Sequence, residues 1–135
     1  MEYGIIVTGH GHFAKGITSA VELIMGKPEN YTEIDFPAGT DANELEKAMN
    51  AAVSEFKNRE IIIMCDLLGG SPCQTAIRKA VENPHIHVIY GVNLGMILEI
   101  CARVQYGGSE GDLLEGIVEL STEHIGIIDL QHLPQ

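Results

Sequence analysis

"IIVTGHGHFAKGI", residues 5–17, joins two periodicities across one glycine-rich turn. The β-branched run "EYGIIVT" (2–8) stops at Gly9. From Phe13, the apolar residues Phe13, Ile17, Val21 and Ile24 then recur at helical spacing until Gly26 and Pro28 end the pattern. The stretch reads as a buried strand, a tight turn and a helix. His10 and His12 lie in the turn, so three chemistries compete for it: a phosphate cradle, half of a metal site, or covalent chemistry on a histidine.

The same alternation continues along the chain. "YTEIDF" (31–36) reads as a second strand closed by Pro37. The segment from Asp41 carries Leu45, Met49, Ala52, Val53 and Phe56 on one helical stripe. "EIIIMC" (60–65) is continuously apolar and reads as a central strand buried on both faces. A helix over 71–82, a strand in "HIHVIYG" (85–91) and a helix over 93–104 follow. After "QYGGSEGD" a last helix is expected from about 112 to 122, and "HIGIIDL" (124–130) reads as a fifth strand. Strand and helix alternate four times, the signature of an open, mostly parallel α/β sheet with helices on both faces. The expected order is 2-1-3-4, with one domain over residues 1–135. In such sheets chemistry sits beyond the carboxyl ends of the strands where the winding reverses. Here that crevice lies between "TGHGH" (8–12) and "CDLLGGSP" (65–72), so His10 and Asp66 should face each other.

Composition narrows the classes. With 45% apolar and 20% charged residues the chain has the balance of a folded globular protein rather than a disordered one. Nineteen acidic residues against eight basic ones leave a formal charge of −11. Such a surface repels nucleic acid and anionic lipid and opposes a tight clamp on a highly charged nucleotide. It favours encounters with a partner that presents a basic face. Cys65, Cys73 and Cys101 form no CxxC pair, and the N-terminus has no basic region ahead of an apolar one. Reduced thiols in the cytoplasm are the expectation.

Gly9-x-Gly11-x-x-Ala14 matches the dinucleotide fingerprint, and Asp35 ends the second strand where a ribose-binding acid would stand. Yet the residue between the glycines is His10, whose ring would fill the space a pyrophosphate needs. His10-x-His12 has no convincing third or fourth ligand, because His12 falls at the helix entry and the rings should diverge. His85-x-His87 would share one face of a strand, expected to be packed under helices. The reading therefore calls for no metal and no cofactor.

Covalent chemistry needs a neutral imidazole nucleophile and a carboxylate that holds the other ring nitrogen as N–H. His10 and Asp66 are the candidates, which leaves the outer Nε2 to react. Donors for an arriving anion would come from "GGSP" (69–72), where Gly70 lets the backbone approach. Ser71 is expected as N-cap, Pro72 at the first helical position and Gln74 completing a capping box. A helix N-terminus carries about half a positive charge. No Arg or Lys occurs within 8–12 or 65–74. A kinase brings cations to its phosphates, whereas a carrier must release what it accepts.

These motifs resemble the IIA component of the mannose-type (mannose–fructose–sorbose) sugar phosphotransferase system. The matching pieces are "IIVTGHGHFAKGI", "IDFPAG" (34–39), "CDLLGGSPCQTA" (65–76) and "VIYGVNLGMILE" (88–99). The resemblance implies that His10 accepts a phosphoryl group from the phosphocarrier HPr and passes it to a IIB component. That component phosphorylates sugar entering through a membrane permease complex. It implies Asp66 as the carboxylate partner and Ser71 with Gly70 as the phosphate-binding turn. It also implies a homodimer in which the last strand, here "HIGIIDL", pairs antiparallel with the sheet of the other subunit. IIB is expected as a separate chain, and Cys73 at the site rim, where the family often has an aromatic residue. Several motifs lean toward members serving amino sugars such as N-acetylgalactosamine. Two alternatives stand beside this reading: a nucleotide- or dinucleotide-binding module, and a regulatory dimer of the same fold that transfers nothing.

Overall fold

The computed structural model describes residues 2–107 and 112–133. Four strands, β1 (Tyr3–His10), β2 (Tyr31–Phe36), β3 (Glu60–Cys65) and β4 (Ile86–Ile89), form one parallel sheet in the order β2-β1-β3-β4. The helices are α1 (Phe13–Met25), α2 (Ala42–Glu55), α3 (Ser71–Glu82), α4 (Leu94–Tyr106) and α5 (Ile117–Glu123).

Two-residue periodicity divides the core. Ile5, Val7, Ile62, Met64 and Ile89 face a cluster completed by Val21 of α1 and Met96, Ile97 and Ile100 of α4. Ile6, Ile61, Ile63 and Cys65 face the other, with Leu45 and Met49 of α2 and Cys73 and Ala76 of α3. β1 and β3 are thus covered on both sides, which is why they read as unbroken apolar runs. Fully burying each such isoleucine contributes about 1.5–3 kcal/mol relative to leaving it exposed.

Away from the site, the structure departs from the sequence expectation in four places. On α1 the buried face is Ala14, Thr18 and Val21, while Ile24 is 59% exposed. Thr18 belongs inside because its hydroxyl meets Tyr31 Oη at 2.7 Å. The last helix starts at Ile117, since Gly116 adopts φ +72° and residues 113–116 form turns. Residues 108–111, within the link expected before that helix, lie outside the described residues.

His85 and His87 are not packed under helices. β4 is an edge strand, and both rings are exposed, sharing the Glu60 carboxylate at 2.8 and 3.5 Å. Finally, His124–Leu130 joins no sheet within the chain. Its apolar side chains stand in solvent, Ile127 at 99% and Leu130 at 81% exposure.

Candidate functional site

The tips of β1 and β3 meet as the strand order requires. Thr8 pairs with Cys65, which carries His10 and Asp66 just past the last paired residues. One carboxylate oxygen of Asp66, Oδ2, accepts from the His10 backbone N–H at 2.8 Å and bonds ring Nδ1 at 2.9 Å. The other oxygen accepts from Leu67 N–H at 2.8 Å. The carboxyl side chain is 13% exposed and the imidazole 45%. Burial pushes the Asp66 pKa up, but the hydrogen bonds from His10 and Leu67 outweigh it and hold the group below the usual carboxylate value. A carboxylate accepts only, so Nδ1 carries the hydrogen and Nε2 keeps its lone pair.

That lone pair faces the start of α3. Gly70, at φ +92°, lies so close to the Nε2–Cε1 edge of the ring that a Cβ there would run into Nε2 and come within 2.7 Å of Cε1. The glycine is required twice over, by the backbone angle and by the approach of the imidazole. At Gly9 a Cβ would stand 2.8 Å from the Asp66 carboxyl carbon and 2.7 Å from the Phe13 ring. The missing side chain makes room for the carboxylate.

Gly70, not Ser71, is the N-cap of α3, with no side-chain cap bond. Ser71 and Pro72 occupy the first two helical positions, and no capping box forms. The positive φ of Gly70 sets the turn, which leaves the Ser71 hydroxyl and the N–H groups of Ser71 and Cys73 without an acceptor among the described residues. These donors and the helix dipole can receive an anion bonded to Nε2.

Cys73 does not reach the rim. It is fully buried in the cluster that holds Cys65, whose thiol pKa is pushed up by burial first and by Cys73 second.

The histidines of the opening stretch diverge. His12 is 76% exposed, with Nδ1 2.9 Å from Asp35 Oδ2. Asp35 also accepts from Lys15 N–H at 2.9 Å, which makes it the cap of α1. The acid assigned to a ribose by the dinucleotide fingerprint is therefore occupied inside the fold.

The surroundings of His10 are open to solvent: the imidazole is 45% exposed, and Leu67, Leu68, Gly69 and Gly70 are exposed beside it. A cavity of about 550 Å³ lies elsewhere, lined by Phe56, Lys57, Arg59 and His85. Another of about 410 Å³, by Tyr3, Met25 and Cys101, does not reach His10 either. No helix among the described residues is long and apolar enough to cross a membrane.

Comparison with known proteins gives a consistent set of likenesses. The sequence model of a family described as "PTS system fructose IIA component" matches residues 4–118. The mannose-specific EIIAB component of Escherichia coli (strain K12) is 30% identical over 126 residues, covering 93% of this chain and 39% of that protein. The chain thus spans well under half of that relative. The sorbose-specific EIIA component of Lacticaseibacillus casei is 31% identical over 99 residues, 73% of this chain and 72% of its own. Among solved structures, phosphotransferase system component EIIA from Streptococcus agalactiae superposes with TM-score 0.82 at 35% identity, covering 96% and 98% of the two chains. The PTS IIA protein associated with the fucose utilization operon of Streptococcus pneumoniae gives 0.81 at 25% identity, covering 94% and 93%.

Proposed function

The chain belongs to the mannose-type IIA family of the phosphotransferase system, and on that premise we propose that it is a phosphohistidine carrier in sugar uptake. His10 Nε2 attacks the phosphorus of phosphohistidine on HPr. The new N–P bond forms as the P–N bond to the donor imidazole breaks. The His10 ring becomes cationic and keeps its Nδ1 hydrogen, and Asp66 stabilises that charge. The phosphoryl oxygens lie against the N–H groups of Ser71 and Cys73 and the Ser71 hydroxyl. Transfer to the IIB component runs the same step in reverse, and IIB then serves the sugar permease complex.

One observation carries the reading: the 2.9 Å contact of Nδ1 with Asp66 leaves Nε2 as the reactive nitrogen at the glycine-rich start of α3. The open surface supports a protein donor over a small-molecule one. The absence of Arg and Lys within 8–12 and 65–74 supports a group held loosely enough to hand on. The test is to mix the protein with phosphoenolpyruvate, enzyme I and HPr. Acid-labile phosphate on the chain is the expected result. A chain that stays unlabelled beside fully phosphorylated HPr is no carrier and becomes the non-transferring dimer.

The working unit in this proposal is a homodimer, with 124–130 exchanged between subunits. The segment carries four apolar side chains and joins no sheet within the chain, and beside edge strand β4 runs a groove of about 440 Å³ lined by Val88, Tyr90, Met96, Ile117 and, from the segment itself, Ile125. Substituting Ile127 and Ile128 by Asp is expected to give a monomer in sedimentation at micromolar concentration. A persisting dimer rules out this exchange.

A further inference from the structure

The turn that presents His10 is held from both flanking strands, and only the β3 side belongs to the site described above. On the β2 side, Gly11 and Phe36 exchange two backbone hydrogen bonds, at 2.8 and 3.0 Å, past the end of the parallel ladder. Thr8 Oγ1 donates to Ile34 O at 2.9 Å two rungs before the end of that ladder. Asp35, with 11% side-chain exposure, completes this seam by using both oxygens on the turn, Oδ1 for Lys15 N–H and Oδ2 for His12 Nδ1. His12, at the N-cap position of α1, makes no side-chain cap bond of its own. The start of α1, three residues past His10, is therefore capped from another strand.

We propose that Asp35 is a positioning residue for phosphoryl transfer: by pinning residues 11–15 to β2 it fixes the direction in which His10 enters the site. This rests on the carrier reading of His10. Asp66 sets the ring through Nδ1 and the His10 N–H, but both bonds need the backbone at His10 to arrive at the Asp66 carboxylate. Loss of the Asp35 side chain leaves the Gly11–Phe36 bonds in place but releases the start of α1, so the backbone that runs from His10 into the helix can shift. Small displacements of a reacting group are costly, on the order of 10²-fold in rate per ångström.

The experiment compares Asp35→Ala, Asp35→Asn and His12→Ala in phosphoryl transfer from phosphorylated HPr, with imidazole proton–nitrogen spectra of each. Asp35→Ala is expected to slow transfer at saturating donor by roughly 10-fold or more, with the KM for HPr little changed. The His10 Nδ1–H resonance should broaden or vanish. Asp35→Asn should recover much of the rate, because its amide oxygen still accepts Lys15 N–H. His12→Ala should stay near the parent rate and keep the resonance.

A parent-like rate and resonance in Asp35→Ala overturn the proposal. So do equal losses in Asp35→Ala and His12→Ala, which would assign the effect to the His12 ring, and a change confined to KM, which would place Asp35 in partner docking. If the parent takes no label from HPr, the carrier reading has failed. The resonance in Asp35→Ala then still decides whether Asp35 orients His10.

Discussion

His10→Ala is expected to take up no phosphate from phosphorylated HPr, while His12→Ala should be labelled to the same extent as the parent chain. The two rings are two residues apart, and each has Nδ1 2.9 Å from a carboxylate, so pairing alone does not distinguish them. Their surroundings do. Nε2 of His10 lies against Gly70 at the start of α3, where backbone donors are unclaimed. His12 is turned toward β2 and is 76% exposed, and the Lys15 N–H near it is already bonded to Asp35. Alanine at position 10 removes the proposed nucleophile, so the expected loss is complete, limited only by assay background. The measurement is acid-labile radiolabel after incubation with phosphoenolpyruvate, enzyme I and HPr, with circular dichroism to show that both variants fold. Label surviving in His10→Ala and vanishing in His12→Ala would move the acceptor to the other ring.

How far such a site can be read from sequence depends on what each feature rests on. The meeting of His10 with Asp66 follows from strand order, and strand order follows from runs such as "EIIIMC" that are long and apolar enough to be unambiguous. Ser71 illustrates the opposite case. Ser-Pro-x-Gln spells a capped helix, but the chain enters α3 through Gly70 at φ +92°, and a glycine's backbone angle leaves no mark in composition. The cap of α1 was equally hidden, since Asp35 reaches it from another strand and only the parallel register brings Gly9 beside Asp35. His85 and His87 were misplaced for a related reason. Alternation shows that two side chains share a face, not that the strand lies at an edge where that face is open. "HIGIIDL" reads as a strand but joins no sheet within the chain, because periodicity records a preference for burial and not what covers the segment.

Asp66→Asn separates charge from shape at this site, and its effect should be second in size only to loss of the histidine. The amide is nearly isosteric with the carboxylate but has one acceptor where Asp66 uses two: Oδ2 for His10 N–H and Nδ1, Oδ1 for Leu67 N–H. If the amide oxygen faces His10, its NH2 group opposes Leu67 N–H. If it flips, the NH2 group donates to Nδ1, the imidazole hydrogen moves to Nε2, and the nucleophilic lone pair is lost. Either way the cation formed during transfer has no counter-charge. By analogy with other histidine–carboxylate pairs, the transfer rate should fall by about 10²- to 10⁴-fold, with little change in HPr affinity, as rapid-quench kinetics would show.

The same substitution has a pH signature. The hydrogen bonds depress the Asp66 pKa in the folded chain despite burial, so its stabilising contribution is fully present above the unfolded value of about 3.9. It is lost as pH falls through the lower folded value. Between neutral pH and about 5 the parent's extra stability over Asp66→Asn should therefore be constant, and denaturant titrations should converge only in stronger acid. A gap that instead closes as pH falls from 7 to 5 would mean that the Asp66 carboxylate does not govern the difference.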